Sequence, residues 1–136
     1  MTWVVDTCVI IDVYGNDPRF GVSSAKFLQK HLADGLTISP VSFVELSAAF
    51  TGDLAEQKRF LEDFGISYSE SWTSADTEAS HRAWSAYVKA RRAEKIPKRP
   101  IADVMIGGFA LNRRGLITRN AADFRRWFPK LSIREA

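Results

Sequence analysis

A carboxylate stands where the start of this chain should be wholly apolar. Asp6 interrupts a hydrophobic run, with Trp3-Val4-Val5 before it and Val9-Ile10-Ile11 after it. Such a run reads as a buried strand feeding a helix. An aspartate at that junction is costly unless a metal, a pairing partner or a raised pKa compensates its charge. Two later acids, Glu45 and Asp103, also sit among apolar residues. The pattern predicts three chain segments delivering carboxylates to one point.

The rest of the chain alternates between the two periodicities. Short apolar stretches at Leu36-Thr37-Ile38, Gly65 to Tyr68, Leu116-Ile117-Thr118 and Leu131 to Ile133 read as further strands. Between them lie helical patterns: a short segment up to Val13, one through Phe27, Leu28 and Leu32 with Ser23 or Ser24 as its cap, and one opened by Ser39-Pro40. Others run from Leu54 to Phe64, from Thr73 or Ser74 to about Lys95, from Ile101 to Asn112 with Gly115 as its punctuation, and briefly around Asp123 to Trp127. Ser39 supplies a good N-cap, and proline suits the first helical position. Alternation of this kind predicts an α/β fold, a three-layer α/β/α sandwich with a mostly parallel central sheet. Ligands in such folds bind beyond the carboxyl ends of the strands, where the strand order switches. Asp6 and Thr118-Arg119-Asn120 both lie at strand ends.

With 136 residues and no linker or internal repeat, residues 1–136 are expected to form one domain. The single cysteine, Cys8, makes neither an internal disulfide nor a cysteine-rich zinc site. No run approaches the length of a membrane span and no leader pattern is present, so a soluble, cytoplasmic protein is expected. A net charge of +3 permits a nucleic-acid partner without requiring one.

Helical spacing places Glu45 on a face with Val41, Val44 and Ala48, which predicts its burial. Asp103 shares its side of a helix with Ile106, Gly107 and Ala110, and lies in the first turns after Pro100, where the helix dipole favours an anion. Asn120 and Asp123 follow the fourth strand. Singly, each acid is as readily a salt-bridged or capping residue. Jointly, they form a set of oxygen donors whose mutual repulsion calls for bound cations. Hard oxygen ligands select Mg²⁺ or Mn²⁺ over zinc, and such ions act on phosphates.

Four segments carry a resemblance to a known family. They are Val4-Val5-Asp6-Thr7-Cys8-Val9-Ile10, Pro40 to Leu46, Arg99 to Gly107, and Leu116-Ile117-Thr118-Arg119-Asn120-Ala121-Ala122-Asp123-Phe124. In this order, across nearly the whole chain, they resemble the PIN-domain nucleases, specifically the VapC-type toxin ribonucleases of bacterial toxin–antitoxin pairs. The resemblance implies that Asp6, Glu45 and Asp103 hold the metal and that Thr7 supports Asp6 by hydrogen bonding. Many members carry an aspartate where this chain has Asn120; Asp123 is then the acid that completes the site. One or two metals remain open on this reading. The implied activity is metal-dependent endoribonuclease cleavage, with a small cognate antitoxin and a second copy of the chain as partners.

Lys98, Arg99 and Arg119 flank two of the acidic motifs and are expected to contact RNA phosphates. His31 and His81 have no partner histidine at ligand spacing, Cys8 reads as a small buried thiol, and Trp72, Trp84 and Trp127 read as packing anchors. An aspartate-based phosphatase would want a second acid where Cys8 stands. A receiver domain would need an acidic pair and a late lysine, and a dinucleotide-binding module a glycine-rich first turn. A PIN-like module that binds RNA without cutting it is the main alternative.

Overall fold

In the computed structural model, which describes residues 1–136, five apolar segments pair side by side: β1 (Trp3–Val5), β2 (Leu36–Thr37), β3 (Ile66–Ser67), β4 (Gly115–Thr118) and β5 (Ile133–Glu135). Every pairing is parallel, in the order β3-β2-β1-β4-β5. The chain builds outward from β1 through β2 to β3, then returns to lay β4 on the other side of β1. The switch in strand order therefore falls between β1 and β4.

Seven helices cover the sheet: α1 (Thr7–Tyr14), α2 (Gly21–His31), α3 (Pro40–Glu45), α4 (Leu54–Asp63), α5 (Ser74–Ala93), α6 (Ile101–Leu111) and α7 (Ala121–Trp127). Alternation along the strands divides the interior in two. Val5 and Ile117 face a core with Val9, Ile10, Leu28 and Phe50. Their neighbours Val4 and Leu116 face the other, with Val104, Ile106, Phe109 and Phe124. Helices on both faces of a parallel sheet give the three-layer α/β/α sandwich. No helix is long and apolar enough to cross a membrane.

Local chemistry sets the boundaries. Ser39 caps α3 by accepting the Ser42 amide at 3.0 Å, with Pro40 opening the helix. Thr73 and Asp76 form a capping box at the start of α5. On α6, glycine permits close packing against α5: a Cβ at Gly108 would lie 2.1 Å from Ser80 Oγ. A buried polar network ties the same helices to the preceding loop. Arg113 Nη1 lies 2.9 Å from Asp76 Oδ1, and Asn112 donates to the same oxygen at 3.0 Å. Burial raises the pKa of Asp76, but the Arg113 and Asn112 bonds, the Thr73 amide and the Arg113 charge outweigh it and hold it below the usual carboxylate value.

Three boundaries differ from the sequence expectation. α2 starts at Gly21, without a serine cap. Leu131 is a core side chain, and β5 begins two residues later. Gly115 opens β4 rather than closing α6, because a Cβ there would meet Ser132 O at 2.4 Å and the Trp3 ring at 2.5 Å.

Candidate active site

Asp6 is the residue after β1 and the first turn of α1 starts beyond it, so the strand end and the helix start meet at this carboxylate. It is 6% exposed. Thr118, at the end of β4, donates its hydroxyl to Asp6 Oδ2 at 2.8 Å, and the Asn120 amide donates to Thr118 Oγ1 at 3.0 Å. The Cys8 thiol lies 3.4 Å from the same Asp6 oxygen. These bonds orient Asp6 without neutralising it. Burial pushes its pKa up, the Thr118 and Cys8 bonds partly offset this, and the charge of Asp103 pushes it up again. Burial and the neighbouring Asp6 charge raise the Cys8 thiol to about 12, which suits a packed thiol and not a nucleophile.

Thr7 supports Asp6 through a backbone hydrogen bond and a second acid through its side chain. Its hydroxyl donates to Glu45 Oε1 at 2.7 Å, with the buried Ser42 hydroxyl 2.9 Å away. Glu45 itself is exposed, contrary to the burial its spacing predicted. α3 ends at Glu45, and its inward line runs through Ser42 and Leu46, which leaves Val44 70% exposed. Val44, Val41, Trp72 and Met105 instead line an open apolar groove of about 530 Å³ whose edge includes Glu45.

Asp103 lies in the first turn of α6 and is half-buried. Arg99 Nη2 reaches its Oδ2 at 3.0 Å, while Arg99 Nη1 reaches Asp123 Oδ2 at 3.0 Å. One guanidinium thus bridges two of the four acids. Burial raises the Asp103 carboxyl, Arg99 draws it down, and Asp123 adds a smaller upward push. Asp123 is exposed in the first turn of α7, and Asn120 is exposed just before it.

The three acids do not close on one point as predicted: no three acidic, histidine or cysteine side chains form a metal-binding cluster. Like charges repel, and Arg99 engages Asp103 and Asp123 instead. The donor set still fits a hard divalent cation. Its members are all oxygens, Asp6 senses the charge of Asp103, and a cationic group already sits between Asp103 and Asp123. A surface cavity of about 680 Å³, lined by Val13, Gly21, Lys26 and Phe60, contains none of these acids. Carboxylate chemistry, not cavity size, locates the site.

The basic residues divide. Lys98 is exposed on the loop before α6. Arg119 is committed inward: its guanidinium pairs with buried Asp12, with Nη2 to Oδ1 at 3.0 Å, and lies 4.3 Å over the Phe20 ring. Asp12 was missed in the sequence, although it breaks the apolar run of α1 just as Asp6 breaks the run before it. His31 packs between Phe27 and Trp3, and Trp72, Trp84 and Trp127 pack on Phe109 or Tyr87, as expected of packing residues.

A parallel α/β/α sandwich with carboxylates at its topological switch point has its acids where such folds bind their ligands. The family model for the PIN domain matches residues 3–127, and the chain belongs to this family of nucleases. Its fold is similar to that of a chain in the crystal structure of VapBC2 from Rickettsia felis bound to a DNA fragment from their promoter. That likeness has a TM-score of 0.70 at 16% identity and covers 99% of this chain and 98% of the other. No curated protein sequence matches the chain.

Proposed function

We propose that residues 1–136 form one catalytic unit, a Mg²⁺- or Mn²⁺-dependent endoribonuclease of the VapC type. The observation that carries this reading is Asp6: a buried carboxylate, fixed by Thr118 at the β1/β4 switch of a PIN fold. Asp6, Glu45 and Asp103 would hold the metal, with Asp123 as the fourth acid. When bound, the ion would supply an activated water and charge stabilisation for phosphodiester cleavage. Thr118 and Cys8 keep the Asp6 oxygens aimed, and Thr7 limits the rotation of Glu45. Lys98 offers an exposed charge for an RNA phosphate. Arg99 and Asn120 border the same site, and Arg119 holds the Thr118–Asn120 turn in register.

In biological terms the proposal is a toxin acting in the cytoplasm, paired with a small antitoxin and working as a homodimer. The resemblance of the four motifs supports it, as does the likeness to a fold determined in a VapBC2 complex. The test is cleavage of RNA by purified protein with Mg²⁺ or Mn²⁺, with chelator and Asp6→Asn as controls. Cleavage that needs neither the metal nor Asp6 would overturn the proposal. The Arg99 bridge, which offsets charge on two acids, favours a second reading: an RNA-binding PIN fold that does not cut. RNA binding without cleavage at any divalent-ion concentration would select it.

A further inference from the structure

We infer that Arg99 is a resident counter-cation, competing with the divalent ion for the oxygens of Asp103 and Asp123. The inference rests on the metal-dependent reading of the site and deepens it. Both guanidinium contacts, 3.0 Å to each carboxylate, go to atoms that ligation would need. The placement also runs against local preference. Arg99 lies just before the N-terminus of α6, where the helix dipole disfavours a cation. Its location is therefore set by the acids and not by the helix.

The residue is built to let go without losing its place. Its backbone amide donates to the hydroxyl of buried Tyr87 at 2.6 Å, so the main chain is pinned from behind. The side chain makes only partly exposed ion pairs, which are individually weak. A divalent ion brings twice the charge to the same oxygens. Once displaced, the guanidinium remains within its own side-chain reach of the acids, and its planar fork suits a phosphate. Arg99 thus has two exclusive states: it pairs with carboxylates in metal-free protein and with the RNA backbone once the acids are ligated.

Mn²⁺ titration by calorimetry tests this on wild type, Arg99→Gln, Arg99→Lys and Lys98→Gln, each checked for a native circular dichroism spectrum. Arg99→Gln should bind Mn²⁺ roughly tenfold more tightly than wild type, as expected when two ion pairs no longer have to be broken. Lys98→Gln removes an adjacent charge without touching either carboxylate, and should change affinity less than about twofold at physiological salt. Arg99→Lys, which keeps the charge but lacks the fork, should fall between. In wild type, the Arg99 Nε resonance should shift with the Mg²⁺ titration. At saturating Mn²⁺, Arg99→Gln should nevertheless cleave RNA more slowly, a split that a loosened fold would not produce. Equal Mn²⁺ affinities for wild type and Arg99→Gln, or an Nε resonance indifferent to Mg²⁺, would overturn the inference and leave the nuclease reading standing. Wild type that binds no Mn²⁺ would overturn both.

Discussion

Arg119 reaches from the end of β4 to Asp12 on α1 and closes an ion pair against the Phe20 ring, one residue away from the hydroxyl that holds Asp6. Asp12 is 4% exposed, and Arg119 is its charged partner. The pair joins the two elements that flank the switch in strand order. Thr118, which precedes Arg119, is thereby kept against Asp6.

Breaking this pair from one side should strand a charge. Asp12→Asn or Arg119→Gln should each cost about 2–4 kcal/mol, near the range for losing one partner of a buried pair. The double variant should be more stable than the sum of the two losses, with a coupling of about 1–3 kcal/mol by urea denaturation. Arg119→Gln should leave the salt dependence of RNA binding unchanged, whereas Lys98→Gln should flatten the log–log slope by roughly 0.7–0.9 for one lost phosphate contact. Additive losses would mean that the two residues do not act as a pair.

Asp6 and Asp76 are buried carboxylates with opposite pH behaviour. The folded-state pKa of Asp6 lies above its ordinary 3.8, chiefly through burial. Its penalty is absent below 3.8, develops as pH rises from there to the folded pKa, and is complete above that pKa. Asp76 is held below 3.8, so its contribution is complete above the ordinary value and is lost as pH falls through the lowered one. At pH 7 without metal, Asp6→Asn should raise the melting temperature by about 3–5 °C, and Asp76→Asn should lower it by at least as much. Both differences should shrink in acid. Matching signs at pH 7 would refute the electrostatic account of one of them.

Glu45 offers a test of positioning at an exposed acid proposed to hold the metal. Thr7→Val removes the hydroxyl that restrains Glu45 while preserving shape at a buried site. Losing such an outer support costs about 10–100-fold in metal affinity or activity. Thr7→Val should therefore cut RNA cleavage within that range, mainly by weakening metal binding, and added Mn²⁺ should restore part of it. Glu45→Gln should lose more and recover less. Identical metal dependence in wild type and Thr7→Val would remove Thr7 from the support of Glu45.

The strand-and-helix order was legible because burial on both faces of a parallel sheet leaves short apolar runs, and because Ser39-Pro40 is a strong local cap. Asp6 was legible for the same reason, as a charge inside such a run. Asp12 carries the same signal, a charge inside the apolar run of α1. Its answering cation lies 107 residues away, a distance that no local pattern reports. Glu45 misled in the other direction. Apolar spacing implied a core-facing helix side, but α3 is six residues long and ends at Glu45, so its valines border a groove. The Arg99 bridge could not be read either. The sequence placed Arg99 beside RNA phosphates, and its contact with Asp123 exists only after α7 docks beside α6.

Asp123 and Asn120 contend for the fourth position of the site, and stability can separate them. A ligand at about 100 times its dissociation constant stabilises the native state by ~2.7 kcal/mol, which corresponds to a rise of about 5–10 °C for a chain of this size. Wild type should show that response to Mn²⁺. The Asn120 side chain is exposed and its backbone amide serves Thr118, so Asn120→Ala should keep most of the response. Asp123→Asn removes a carboxylate and also frees one arm of Arg99. Its metal-free melting temperature should change little, because Asp123 is exposed, but its Mn²⁺ response should shrink by roughly half or more, reflecting at least a tenfold loss of affinity. The reverse ranking, with Asn120→Ala losing the response and Asp123→Asn keeping it, would transfer the fourth position to Asn120 and leave Asp123 as a partner of Arg99 alone.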